Sequence, residues 1–147
     1  MKQKKFVVAC DHAGYDLKVK IIDYLRGKHF MVEDLGTDSS ASVDYPDFGH
    51  ALAEHVLSGK YDAGISLCGS GNGINITANK HAGIRSALCW RKDIAELARG
   101  HNDANICALP ARFVSFEQAC EILDAFIETP FDGGRHQRRI EKIPIKT

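Results

Sequence analysis

Tyr61-Asp62-Ala63-Gly64-Ile65-Ser66-Leu67-Cys68-Gly69-Ser70-Gly71-Asn72-Gly73-Ile74 reads as a buried strand that runs into a cysteine, a glycine-rich turn and then a helix, the repeating unit of an α/β fold. Three glycines within residues 69–73 let the backbone take left-handed angles and approach a ligand closely. A helix that begins near Asn72 points its positive dipole end at the same spot. The Cys68 thiol therefore stands beside a nest of N–H groups suited to an anion or a developing oxyanion. The plainer reading is a core-filling cysteine beside a tight turn. Position favours the functional one, because ligands bind at the carboxyl ends of strands in open α/β sheets. Spacing excludes the common nucleotide cradles. A dinucleotide fingerprint on Gly69 and Gly71 needs a glycine at Ile74, one on Gly71 and Gly73 needs it at Ile76, and Lys80 stands between Asn79 and His81 rather than in a Gly-Lys-Ser/Thr run.

Outward from this unit, short β-branched runs alternate with helical patterns, without linkers or low-complexity stretches. The strands expected are Phe6–Cys10, Met31–Leu35, Ala63–Leu67, Ile84–Leu88 and Asn105–Leu109. Between and after them, four sets recur at helical spacing: Leu17, Ile21, Ile22 and Leu25; Leu52, Val56 and Leu57; Ile94, Leu97 and Ala98; Cys120, Leu123 and Ile127. Strand and helix in alternation predict a Rossmann-like three-layer α/β/α sandwich on a five-stranded parallel sheet with right-handed crossovers. Residues 1–147 are read as a single domain with a C-terminal tail from about 131. The carboxyl ends of parallel strands share one edge, so Asp11-His12, Cys68 and Pro110-Ala111-Arg112 gather around one crevice. Each has a plainer role: Asp11 as a helix cap, His12 as a surface histidine, His101-Asn102-Asp103 as a helix end. His50 and His55, five apart, do not share a helix face and make no metal pair; His29, His81 and His136 show no partner in the sequence.

Composition narrows the class. A chain of 147 residues buries roughly 68–70% of its unfolded surface, enough for one two-faced core. Nineteen basic and nineteen acidic residues leave no net charge, and hence no long-range field that favours nucleic acid or membrane. The opening Met1-Lys2-Gln3-Lys4-Lys5 is followed only by the short apolar run Phe6 to Cys10, too short for a signal or a membrane span, so a cytoplasmic protein is expected. Five cysteines, at 10, 68, 89, 107 and 120, form no C-x-x-C pair, against both a disulfide framework and a thiolate metal site. In the tail, Arg135 and Arg139 are four apart and share a helix face, a double guanidinium fork suited to phosphate; the plainer reading is a solvated basic turn.

Taken together, Asp11-His12-Ala13-Gly14, Val43-Asp44-Tyr45-Pro46-Asp47, Cys68-Gly69-Ser70-Gly71-Asn72-Gly73, Asn79-Lys80, Gly83-Ile84-Arg85, His101-Asn102-Asp103-Ala104-Asn105 and Gly133-Gly134-Arg135-His136 resemble, in order and spacing, the type B ribose-5-phosphate isomerases. That group also includes allose-6-phosphate and galactose-6-phosphate isomerases, and the resemblance covers nearly the whole chain. It implies interconversion of ribose 5-phosphate and ribulose 5-phosphate without metal or organic cofactor. It makes Cys68 the base that moves a proton between C1 and C2 through an enediolate, held on the N–H groups of Gly69, Gly71, Asn72, Gly73 and Ile74. Ser70 would shuttle protons between the oxygens, His101 with Asp11 would open the sugar ring, and Asn102 would hold a sugar oxygen. Tyr45 would line the pocket, and His12, Arg112, Arg135 and Arg139 would bind the phosphate. Family members that lack the cysteine carry a glutamate six residues later; Ile74 stands there in this chain, which places it in the thiol branch. Ser70 replaces the threonine of many relatives and keeps the hydroxyl. The family forms homodimers, some paired into tetramers, in which His101 and Asn102 reach the partner's site. Two alternatives remain open: a hexose 6-phosphate substrate, or a non-catalytic sugar-phosphate-binding module on the same fold.

Overall fold

The computed structural model describes residues 2–146. The chain runs β1 (Lys5–Cys10), a 3-10 turn (His12–Gly14), α1 (Tyr15–Gly27), β2 (Met31–Asp34), α2 (Tyr45–Leu57), β3 (Ala63–Cys68), α3 (Asn72–Ala78), β4 (Ser86–Leu88), α4 (Lys92–Gly100), β5 (Ile106–Pro110), α5 (Phe116–Glu128) and α6 (Arg135–Ile140). The five strands are all parallel, in the order β2-β1-β3-β5-β4, so the expected sheet forms. Its ends differ from the sequence reading by a residue or two. The fourth strand is shorter because the Arg85 and Ser86 N–H groups donate to the side chains of Asn105 and Asn79, each at 2.8 Å, rather than to a neighbouring strand.

The two faces of the sheet are covered by different helices. Ile21, Ile22 and Leu25 of α1, Ala95 and Ala98 of α4, and Ile122, Leu123 and Phe126 of α5 pack on one face; Leu52, Ala53 and Val56 of α2 and Ala78 of α3 pack on the other. β3 is buried along its whole length, as expected of a central strand covered on both sides, and each large side chain such as Ile65 or Leu67 contributes about 1.5–3 kcal/mol by burial. Leu57 and Leu97, which fit the helical spacing, are instead about half exposed, at 47% each. Leu57 is the last residue of α2, beyond the sheet. On α4 the small Ala95 and Ala98 form the buried face, which turns Leu97 outward.

The order of the strands creates the crevice. From β1 the chain moves to one side through α1, and from β3 it moves to the other side through α3; β1 and β3 are neighbours. Their outgoing loops diverge onto opposite faces, which is the switch point where open α/β sheets bind ligands. A buried lysine fixes the next loop. Lys18, 1% exposed, donates to Asp34 Oδ1 and to the Thr37 carbonyl, each at 2.6 Å. This ties α1 to the segment that leaves β2 and leads to Tyr45. Among the described residues, no helix is long and apolar enough to cross a membrane.

Candidate active site

At the carboxyl edge of the sheet, Cys68 ends β3, is 5% exposed, and stands in register with Pro110 at the end of β5. The ladder continues past both strands: the Ala111 N–H donates to the Cys68 carbonyl and the Arg112 N–H to the Gly69 carbonyl, each at 3.0 Å. The glycine turn is thereby laced to the segment that carries Arg112. The Arg112 guanidinium lies over Gly69, where a Cβ would stand 3.2 Å from its Nη1. Gly71 has φ +77° and a Cβ there would lie 2.5 Å from Leu88 Cδ1, so both its conformation and its surroundings require glycine. α3 then begins at Asn72 without a side-chain cap, and its first-turn N–H groups have no acceptor within the helix. Ser70 Oγ accepts from the Asn72 N–H at 3.3 Å, which leaves its own hydrogen free to donate.

The β1 loop completes this half of the site. Asp11, 6% exposed, accepts at Oδ1 from the Ala13 and Gly14 N–H groups at 3.0 and 3.2 Å, and its own N–H donates to the Leu67 carbonyl at 3.2 Å. The aspartate therefore does cap the turn, and it does so directly beside β3. His12 Nδ1 accepts from the Val43 N–H at 3.2 Å, which leaves Nε2 as the protonated nitrogen of the neutral ring. Two residues beyond Val43, the Tyr45 ring packs on Gly73: a Cβ at Gly73 would meet the ring at 2.5 Å. An open cleft of about 560 Å³ beside the turn is lined by Ser70, Asn72, Leu88, Trp90, Pro110 and Phe113, among others.

The remaining sequence-predicted residues gather elsewhere. His101 follows α4 and precedes β5, so it lies at the amino edge of the sheet, while Cys68 lies at the carboxyl edge; β5 between them spans about 13 Å at a strand's rise per residue. His101, Asn102, Arg135 and Arg139 line one pocket of about 290 Å³ with His136 and Ile140. Within one subunit, then, His101 and Asn102 do not stand with Asp11 and Cys68, and the α6 arginines share the edge of His101 rather than that of Arg112.

This second cluster also contains residues that the sequence did not reveal. The His101 and His136 rings stack with centroids 4.2 Å apart at 13°. His136 titrates below the usual histidine value, through desolvation first and then through His101 and Arg135. Asp132, whose N–H donates to the Gly100 carbonyl at 3.0 Å, brings a carboxylate alongside. The ligand atoms of His101, Asp132 and His136 all lie within 4.8 Å of one another, a set of donors that suits a borderline divalent cation. Asp132 carries no local motif, and its proximity arises only because α5 returns the chain to the end of α4. His81, without a visible partner in the sequence, meets His50 at 2.7 Å between Nε2 and Nδ1.

A thiol at the end of a strand, beside a glycine turn over which the Arg112 guanidinium lies, is an arrangement that can serve proton transfer beside a carbonyl. Residues 6–143 match the ribose/galactose isomerase family, and the chain belongs to that family. It is 44% identical over 140 residues to the ribose-5-phosphate isomerase B of Escherichia coli K12, covering 95% of this chain and 94% of that protein. A solved ribose 5-phosphate isomerase of Thermotoga maritima superposes with a TM-score of 0.95 at 52% identity, over 97% of this chain and 98% of the other. The ribose-5-phosphate isomerase B of Mycoplasma genitalium, solved with bound ribulose-5-phosphate, does so with a TM-score of 0.91 at 41% identity, over 97% and 95%.

Proposed function

We propose that this protein interconverts ribose 5-phosphate and ribulose 5-phosphate, with Cys68 as the base. The observation that carries this reading is the thiol itself, at the end of β3 on the glycine turn that leads into the N-terminus of α3. In the aldose-to-ketose direction the Cys68 thiolate takes the C2 proton, the electron pair passes to the C1 oxygen as an enediolate, and the thiol returns a proton to C1. Ser70 moves a proton from the C2 oxygen to the C1 oxygen. The first-turn N–H groups of α3 hold the oxyanion, each donor being worth about 2.7–4 kcal/mol in the transition state. Asp11 and His101 open the furanose ring before isomerisation, Asn102 holds a sugar oxygen and Tyr45 lines the pocket. His12, Arg112, Arg135 and Arg139 bind the phosphate, whose binding energy orients C1 and C2 against the thiol.

These roles need both edges of the sheet at one substrate. That requirement supports a homodimer in which Cys68, Asp11, His12, Tyr45 and Arg112 come from one subunit and His101, Asn102, Arg135 and Arg139 from the other. The exposed Trp90 and Phe113, 49% and 74% accessible, add an apolar wall to the cleft beside Ser70 and Asn72 that suits such a contact. The substrate is tested by comparing kcat/KM for ribose 5-phosphate, allose 6-phosphate and galactose 6-phosphate. The pentose phosphate is expected to lead; a hexose phosphate in first place overturns the substrate, and no turnover of any of them overturns the enzyme.

A further inference from the structure

Arg85 stands immediately before β4, and the reaction as written uses it nowhere. Its guanidinium is nonetheless bonded through Nε and Nη2 to the turn that carries His101 and Asn102. Nε donates to the Asn102 carbonyl at 2.9 Å and to the Asp103 carbonyl at 3.2 Å; Nη2 donates to the Asp103 carbonyl at 2.9 Å and lies 3.5 Å from Asp103 Oδ2. Backbone and side-chain bonds hold Arg85 itself in place. Its N–H donates to Asn105 Oδ1 at 2.8 Å, its carbonyl accepts from the Asn105 N–H at 2.9 Å, and Asn105 Nδ2 reaches the Gly83 carbonyl at 2.9 Å.

The turn needs such support. Asp103 is a non-glycine residue at φ +45°, a left-handed conformation that side chains disfavour. Its carboxylate is gripped a second time by Arg99 at 2.9 Å, whose Nη1 also bonds the Ala104 carbonyl at 2.6 Å. Carbonyls past a helix end lack partners in the helix and favour cations, and a planar guanidinium holds two successive carbonyls in a fixed direction that a freely rotating ammonium does not impose. We propose that Arg85 is a positioning residue of this isomerase: by clamping the Asn102 and Asp103 carbonyls it sets the direction in which His101 and Asn102 are presented to the neighbouring subunit's thiol. The proposal rests on the ring-opening role of His101 given above.

Arg85→Lys keeps the charge and loses the fork; Asp103→Asn keeps the left-handed turn and loses the carboxylate that the two arginines share. Ribose 5-phosphate must be opened before it reacts, whereas ribulose 5-phosphate cannot close a furanose ring, so proton exchange at its C1 bypasses the step. In Arg85→Lys, kcat on ribose 5-phosphate is expected to fall on the order of 10²-fold, the scale of a misplaced reacting group, while exchange at C1 of ribulose 5-phosphate falls several-fold at most. Asp103→Asn is expected to show the same bias more weakly. Wild-type turnover in both variants, an equal loss in both assays, or a loss of folding in both that accounts for the lost activity overturns the proposal. Failure of the underlying reading looks different: wild-type enzyme would then not turn over ribose 5-phosphate, or His101→Asn would reduce both assays alike.

Discussion

Three of the five cysteines are held in the neutral thiol form by their surroundings. Burial pushes the Cys10 thiol up to about 12; the contact with Cys89, together with burial, raises Cys107; and burial, then Asp124 and Glu117, raises Cys120. A thiol held neutral is neither a base nor a nucleophile. Cys68 alone ends a strand beside the glycine turn. Cys68→Ala is expected to lower kcat by a factor on the order of 10²–10⁴ with substrate binding nearly intact, as read by steady-state kinetics and by titration with ribulose 5-phosphate. Near-normal turnover would return Cys68 to core filling. The cysteine and its turn were visible in the sequence because they form a contiguous motif. Asp132 and the His101–His136 stack were not, because each joins segments more than thirty residues apart.

At the scale of elements, the turn into α3 and the short α6 make contrasting demands. Gly71 sits in a left-handed conformation against Leu88, so Gly71→Ala meets both backbone strain and a clash. It is expected to destabilise the fold by about 1–3 kcal/mol, measured as a lower denaturation midpoint, and to reduce turnover by shifting the N–H groups of α3. An unchanged midpoint would show that the turn relaxes freely. α6 buries no residue, so its arginines can be removed without loss of core. Arg135→Ala or Arg139→Ala should each weaken ribose 5-phosphate by about 1.5–3 kcal/mol, the range of a charge-assisted hydrogen bond, and barely change any residual activity on unphosphorylated ribose. Equal losses on both sugars would assign the arginines to the fold or to subunit contact.

For the whole molecule, the two clusters at opposite edges of the sheet and the proposal that they meet across a dimer lead to a complementation experiment. Cys68→Ala and His101→Asn subunits are each expected to be nearly inactive for ribose 5-phosphate. In a mixed dimer, one site combines both substitutions and the other combines an intact Cys68 with an intact His101. Random assembly at equal amounts makes half the dimers mixed, and the mixture should recover about a quarter of wild-type activity if sites are shared across a two-fold axis. Recovery that stays at the sum of the two parents would place the whole site within one subunit and remove the shared-site dimer.

The α/β class, the parallel sheet and the carboxyl-edge grouping of Asp11, Cys68 and Arg112 were all legible in the sequence. Hydrophobic periodicity specifies the elements, and the rule that parallel strands share one direction gathers their ends. The resemblance named the family on motifs spread along the chain. What only the tertiary structure decided is how these residues divide between the two edges. His101 precedes β5 and Pro110 ends it, so a few residues of chain become the height of the sheet, and α5 brings the tail arginines back to the same edge as His101. The partners of Arg85 were equally hidden, since they are backbone carbonyls. Sequence spacing records distance along a strand or a helix, but contact between chain-distant groups depends on the packing of several elements at once.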